Sequence, residues 1–304
     1  MDLPATVSEC SLDMGKNGVC SDTSLIVEID ESLGIGIVRD ASPTRIDPSD
    51  MKAVIDKAKV ITKCDSEMCV LDSNQVRQKV DADKLKKNKE TKFKHPGPSN
   101  NTKLLSNFNI DTVLKNLTHV DKHKGFYHMV FQMIDFNGSM RWPPSEMATT
   151  DICADIIEKG YNCMGVVLNT DNRSGTGKHW FCIFCDFRGS GSQQDPYTVE
   201  YFNSSGNLPL EPVLVWLNKT AKHISHHEFA SGAKKRHCAK VVASRVRHQQ
   251  SQTECGLYSL YYIWCRLNKE PIESFRGRPI PDAKMTEFRK HLFYDPNEPK
   301  KRGI

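Results

Sequence analysis

Nowhere in these 304 residues do about 18 apolar side chains follow one another, so no membrane-spanning helix is expected. The opening "MDLPATVSECSLDMGKNG" lacks a basic stretch leading into an apolar one, and does not read as a secretory leader. Charge is also modest. A formal +5, from 42 Lys+Arg against 37 Asp+Glu, is too little in a chain this long to imply nucleic acid by itself. No internal repeat is found. The eleven cysteines follow no short-scaffold spacing; without a leader, free thiols in a reducing compartment are the expectation. Triplets such as Asn203-Ser204-Ser205 carry no glycosylation reading without export.

The length allows at least one full core and is compatible with two domains. In the first fifty residues turn formers dominate, apart from a strand-like "SLIVEI". From Asp50 to Lys94 the chain turns to lysine-rich helix formers, "MKAVIDKAKVITK" and "VRQKVDADKLKKNKETKFK". Their acidic residues are interspersed and aromatics are scarce, so the basic faces read as solvated. "HPGPSNNTK", His95 to Lys103, is a run of turn residues. We therefore divide the chain into a helical arm, 1–98, and a core domain, 99–304.

The core has a different texture. "MGVVL" (Met164–Leu168), "HWFCIFCDF" (His179–Phe187), "YTVEYF" (Tyr197–Phe202) and "KVVASRV" (Lys240–Val246) read as strands. Val213, Trp216, Leu217, Thr220 and Ile224 share one helical face. Leu257 to Leu267 is apolar almost all round and predicts a central buried helix. Met285, Phe288 and Leu292 predict a last helix beginning near Pro281-Asp282. The fold class expected is α+β: a mixed β-sheet packed against a central buried helix, with a helical N-terminal arm.

Three chemical signals fail. "SGTGKH" departs from a phosphate-binding loop at both ends, with Asn172 in place of Gly and His179 in place of Ser or Thr. Cys182 and Cys185 sit in a strand, where residues three apart face opposite sides. His226-His227 has no Cys or acidic partner at ligand spacing. Cys64 and Cys69 are near enough in sequence to pair or to share a metal, and nothing else in the arm supports either. No metal or organic cofactor is expected.

One constellation survives. Cys255-Gly256 stands between a Gln-rich polar loop and the apolar helix, which places the thiol at a helix N-terminus. Unpaired amides there favour a thiolate, so a lowered pKa is expected. Gly256 removes bulk where a substrate carbonyl would approach. His179 opens a strand after a glycine-rich turn, and Asn203 closes the strand "VEYF". If those strands are neighbours, Asn203 can hold the imidazole that takes the thiol proton. Gln249, Gln250 and Gln252 offer amides for the oxyanion.

The order His…Asn…Gln…Cys differs from the Cys…His…Asn order of papain-like enzymes. It resembles the proteases of ubiquitin-like modifiers (the SUMO-specific family) and the adenovirus proteinase, with their His-Trp, Asp/Asn, Gln, Cys-Gly pattern. "KFKHPGPSNNTKLLSNFNIDTVL", "LNTDNRSGTGKHW", "VEYFNSSGN" and "RHQQSQTECGLYSLYYI" are similar to the African swine fever virus-like group of polyprotein-processing cysteine proteases. The resemblance spans about Cys64 to Phe293. It implies catalytic His179, Asn203 and Cys255, with Gln249, six residues before the cysteine, as oxyanion donor and Gln252 as fallback. It also implies a helical arm before the protease core, and cleavage after Gly-Gly in viral structural polyproteins, in host cytoplasm at assembly sites and in the virion. The hairpin through "GSGSQQDP" is longer here than in the group.

On that basis Trp180 is expected to wall a narrow groove that admits residues without side chains, and Trp142 to form the other wall. Two alternatives stand beside this reading: release of ubiquitin or SUMO, which also end in Gly-Gly, and a non-catalytic scaffold of the particle.

Overall fold

A computed structural model describes residues 2–15, 18–38, 46–99, 103–138, 144–229 and 237–296. The chain forms two compact units: Leu3–Ser99 with Lys290–Ile304, and Met1–Asp2 with Asn100–Arg289.

The first unit is built from α1 (Thr23–Leu33), α2 (Pro48–Thr62), α3 (Glu67–Asp72), α4 (Asn74–Arg77), α5 (Ala82–Lys92) and a short β1 (His95–Pro96). "SLIVEI" is helix, not strand. The Asp22 side chain caps α1 by accepting from the Leu25 N–H, and Gly34 closes it in the left-handed region. Leu25, Ile26 and Ile29 then share one buried face against Val54, Ile55 and Ala58 of α2. Cooperative burial of that face overrides the β-branched composition.

The expectation of free thiols is also corrected here. Cys10 pairs with Cys20, and Cys64 with Cys69. Each bridge closes a short loop beside a small core. The unit also recruits the end of the chain, because Phe293–Tyr294 pairs in parallel with β1. That pairing places residues beyond Arg289 with the helical unit, whereas the sequence division at residue 98 keeps them in the core. A two-residue strand has no periodicity from which it could be read.

The second unit contains α6 (Asn107–Thr118), β2 (Phe126–His128), β3 (Gln132–Met133), α7 (Glu146–Thr149), β4 (Cys163–Asn169), β5 (Trp180–Asp186), β6 (Tyr197–Phe202), α8 (Glu211–His226), β7 (Ala239–Ala243), α9 (Cys255–Leu267) and, as far as Arg289, α10 (Asp282–Leu292). The pair to β1 at the chain's end is β8 (Phe293–Tyr294). The sheet of the second unit runs β2-β4-β5-β6-β7, with β3 also on β4. β4, β5 and β6 are antiparallel neighbours; the outer pairings are parallel. The fold is therefore α+β with a mixed sheet.

Strand alternation sorts the two faces. Phe181, Ile183, Val199 and Tyr201 pack with Val213, Leu217 and Ile224 of α8. Cys182, Phe184, Glu200 and Phe202 face α9, whose thirteen residues are all buried. Phe202 stacks on Tyr262 at 4.4 Å. Glu200, fully buried, accepts from Arg266 Nε and Nη2, both at 2.8 Å, and from Tyr262 Oη at 2.7 Å. Burial works against the Arg266 charge, but Glu200 more than offsets it. This pair fixes α9 along the sheet and so fixes where its first residue lies.

Candidate active site

In the β5–β6 register Cys182 stands opposite Phe202, so the next position along each strand sets Phe181 across from Asn203. His179 lies two residues further on the same face. Its Nε2 is 2.8 Å from Asn203 Oδ1.

The surrounding bonds decide which imidazole nitrogen carries the proton. The Ser205 backbone N–H, which can only donate, points at Asn203 Oδ1 at 3.0 Å, and Asn203 Nδ2 donates to Tyr201 Oη at 3.0 Å. The amide therefore cannot be flipped, and Oδ1 is an acceptor. His179 must donate from Nε2, which leaves Nδ1 as the basic nitrogen of the neutral ring. Asn203 itself is buried, and so is Tyr201, whose hydroxyl burial pushes up to about 12.

Cys255 is the first residue of α9 and is almost fully buried. No side chain caps this helix start. The backbone N–H groups of Trp180 and Gly256 donate to the thiol, which sets the sulfur beside the residue that follows His179. The expected fall in pKa is not found. Burial pushes the Cys255 thiol above its ordinary value of 9.0, and the backbone amides of Trp180, Gly256 and Cys255 itself only partly counter this.

Gly256 has a different role from the one expected. A Cβ there would lie 3.2 Å from Leu105 Cβ and 3.3 Å from Trp180 Cδ1, so the space is occupied by protein rather than open to a substrate. The missing side chain lets Trp180 close over the helix start, where its Nε1 donates to the Leu105 carbonyl at 3.1 Å. Phe131 meets the Trp180 ring edge-on at 6.2 Å. A cleft of about 610 Å³ runs along this wall, lined by Leu104, Leu105, Phe131, Met133, Gly177 and Lys178. Trp142, the other expected wall, lies outside the described residues.

The two glutamine candidates separate. Gln249 is buried; its Oε1 accepts from Ser204 Oγ at 2.7 Å and its Nε2 donates to the Ser251 carbonyl at 3.0 Å. One N–H of that amide is left over. Gln252 is exposed and lacks any such tether among the described contacts. The Gln250 and Ser251 amides donate to Asp282, the first residue of α10, which also accepts from Tyr258 Oη at 2.8 Å. Ser204, Tyr201, Leu105 and Asp282 are not found by sequence reasoning. Only Asp282 carries a signal there, as the start of a predicted helix. Among the described residues the one group with metal-ligand spacing is Cys153, His223 and His227, and none of these belongs to this site.

Residues 161–303 match the family described as Ulp1 protease family, C-terminal catalytic domain. The chain is 39% identical over 243 residues to a SUMO-1 cysteine protease of African swine fever virus, isolate Tick/South Africa/Pretoriuskop Pr4/1996. That match covers 76% of this chain and 83% of the relative. The chain belongs to the Ulp1-like cysteine protease family. The corresponding cysteine protease of the Badajoz 1971 strain of that virus is matched to the same extent. In structure, the protease resembles the crystal structure of the African swine fever virus protease, with a TM-score of 0.69, 31% identity, and coverage of 96% of this chain and 98% of that one. The protease is thus a thiol hydrolase of peptide bonds whose relatives include viral enzymes.

Proposed function

We propose that the protease cleaves viral structural polyproteins after Gly-Gly, using Cys255 as nucleophile, His179 as base and Asn203 as the group that orients it. The observation that carries this reading is the Asn203 network, which leaves Nδ1 of His179 as the basic nitrogen beside the Cys255 segment. His179 takes the thiol proton as substrate arrives, and the thiolate attacks the scissile carbonyl. The remaining Gln249 N–H and the Cys255 amide receive the oxyanion. His179 then protonates the leaving amine, and activates the water that hydrolyses the thioester. A raised thiol pKa suits this order, since the proton moves during the reaction rather than before it.

Selection of Gly-Gly rests on the Trp180 wall. With Trp180 held against Leu105 and Gly256, a chain reaching Cys255 passes beside an indole fixed by packing and by its own N–H. Residues without side chains fit such a passage. Cutting of assembly precursors would take place at virus assembly sites in host cytoplasm, and the enzyme would be carried into the virion.

The test is cleavage of fluorogenic peptides with Gly-Gly-X junctions beside a SUMO or ubiquitin fusion, with Cys255→Ala as control. Peptide cleavage after the second Gly, lost in the variant, supports the proposal. Cleavage of the modifier fusions alone replaces it with modifier release, and cleavage of neither by freshly reduced enzyme rejects it.

A further inference from the structure

On the sheet face away from α9, the end of α8 carries a second set of chemically active side chains. His223 and His227 lie four residues apart, and the His227 N–H donates to the His223 carbonyl at 2.9 Å, so one helical turn stacks them. Against α8 packs a π-helical turn, Ile152–Ile157, that holds the free, fully buried Cys153. Such turns are rare and concentrate at functional sites. One ligand-type atom each from Cys153, His223 and His227 lies within 4.8 Å of the other two. Sequence spacing gives His227 no acidic partner; the fold supplies one 69 residues away.

The carboxylates add the second observation. His223 Nε2 is 3.0 Å from Asp151 Oδ1, and His227 Nε2 is 3.0 Å from Glu158 Oε1. A carboxylate accepts, so each Nε2 carries the proton and each neutral ring keeps its lone pair on Nδ1. Ligating imidazoles are commonly oriented in this way. Asp151 and Glu158 thus set two carboxylates beside the histidines, and that surrounding charge favours a cation. A cleft of about 520 Å³, bordered by Asp151, Ile152 and His223, gives an ion a route from solvent.

We propose that Cys153, His223 and His227 bind a zinc-class divalent cation through one thiolate sulfur and two imidazole nitrogens. One thiol, two imidazoles and an open fourth position for water match the preferences of zinc rather than of magnesium or calcium. Binding forms one metal–sulfur and two metal–nitrogen bonds and releases the thiol proton to solvent, with no change of oxidation state. The ion ties the end of α8 to the π-helical turn and keeps one position for water.

The test uses the full chain carrying Cys255→Ala, which removes the thiol at the start of α9. Chelator-stripped protein is titrated with Co²⁺ and then Zn²⁺. The expected result is one equivalent of tetrahedral Co²⁺ with a thiolate charge-transfer band, displaced by Zn²⁺. Adding His223→Ala and His227→Ala, both accessible side chains whose loss leaves the circular dichroism unchanged, abolishes the band and weakens Zn²⁺ binding by at least about 100-fold. Glu158→Gln weakens it by about 10–100-fold. Absence of a charge-transfer band, or a band that survives loss of both histidines, overturns the proposal.

Discussion

Ser204 Oγ donates to Gln249 Oε1 at 2.7 Å, linking the residue after Asn203 to the loop that precedes Cys255. With Nε2 donating to the Ser251 carbonyl at 3.0 Å, the bond holds the Gln249 oxygen and leaves one N–H of the amide to spare. We expect Ser204→Ala to lower kcat by about tenfold with KM little changed, since the donor acts on the developing oxyanion. Gln249→Ala should cost about 10²–10³-fold in kcat. A KM effect without a kcat effect in both variants would remove Gln249 from the oxyanion site.

Asn203→Ala leaves the imidazole free to take either tautomer. The expected loss in kcat/KM is on the order of 10²-fold, a fraction of what a general base contributes. Asn203→Asp keeps the acceptor and should retain most activity while shifting the acidic limb of the pH profile upward. Equal activity of Asn203→Ala and the parent enzyme would show that the network has no role in positioning.

The Cys255 thiol sits above its ordinary 9.0 because it is buried. The thiolate is therefore scarce at neutral pH, and the rate of alkylation by iodoacetamide should rise by about tenfold per pH unit from about pH 7 through pH 9. A rate already level below pH 7 would mean a preformed thiolate–imidazolium pair.

Removing Glu200 takes two charge-assisted hydrogen bonds from the Arg266 guanidinium and leaves Asp186, 3.0 Å from its Nη2, as its remaining carboxylate. Glu200→Ala should lower stability by about 3 kcal/mol, as measured by urea unfolding. Pairing it with Arg266→Met should restore much of the loss. A single-variant loss under about 1 kcal/mol would show that Asp186 or water compensates the arginine.

Seven cysteines are free and four are bridged. Alkylation of the denatured chain should label seven thiols without reductant and all eleven with it. Opening either bridge should destabilise the helical unit by about 2–3 kcal/mol on the loop-entropy estimate. The four tryptophans all lie beyond residue 99, so hydrogen exchange of α1 and α2 is the suitable readout.

Much of the protease unit could be read from sequence because its strands are apolar runs cut by turn residues, and β4 to β7 and α9 fall where those runs fall. The approach of His179 to Asn203 followed from one assumption, that β5 and β6 are neighbours, and the register meets it. Contacts between distant segments leave no local trace. Ser204 meets Gln249 across 45 residues, and His227 meets Glu158 across 69. "SLIVEI" misleads because Ile, Val and Leu suit a strand, and only burial of Leu25, Ile26 and Ile29 together selects the helix. The direction of the thiol pKa escapes a sequence reading because position at a helix start is visible there, whereas depth of burial is not.

The parallel pairing of β1 with β8 has a consequence for synthesis. His95–Pro96 must wait for Phe293–Tyr294, nearly two hundred residues later, before that ladder can form. A ribosome therefore releases all of Asn100–Arg289, the sheet and the nucleophile's helix included, while the helical unit still lacks its last strand. Of the two units, the one whose helices emerge first is the one that finishes last.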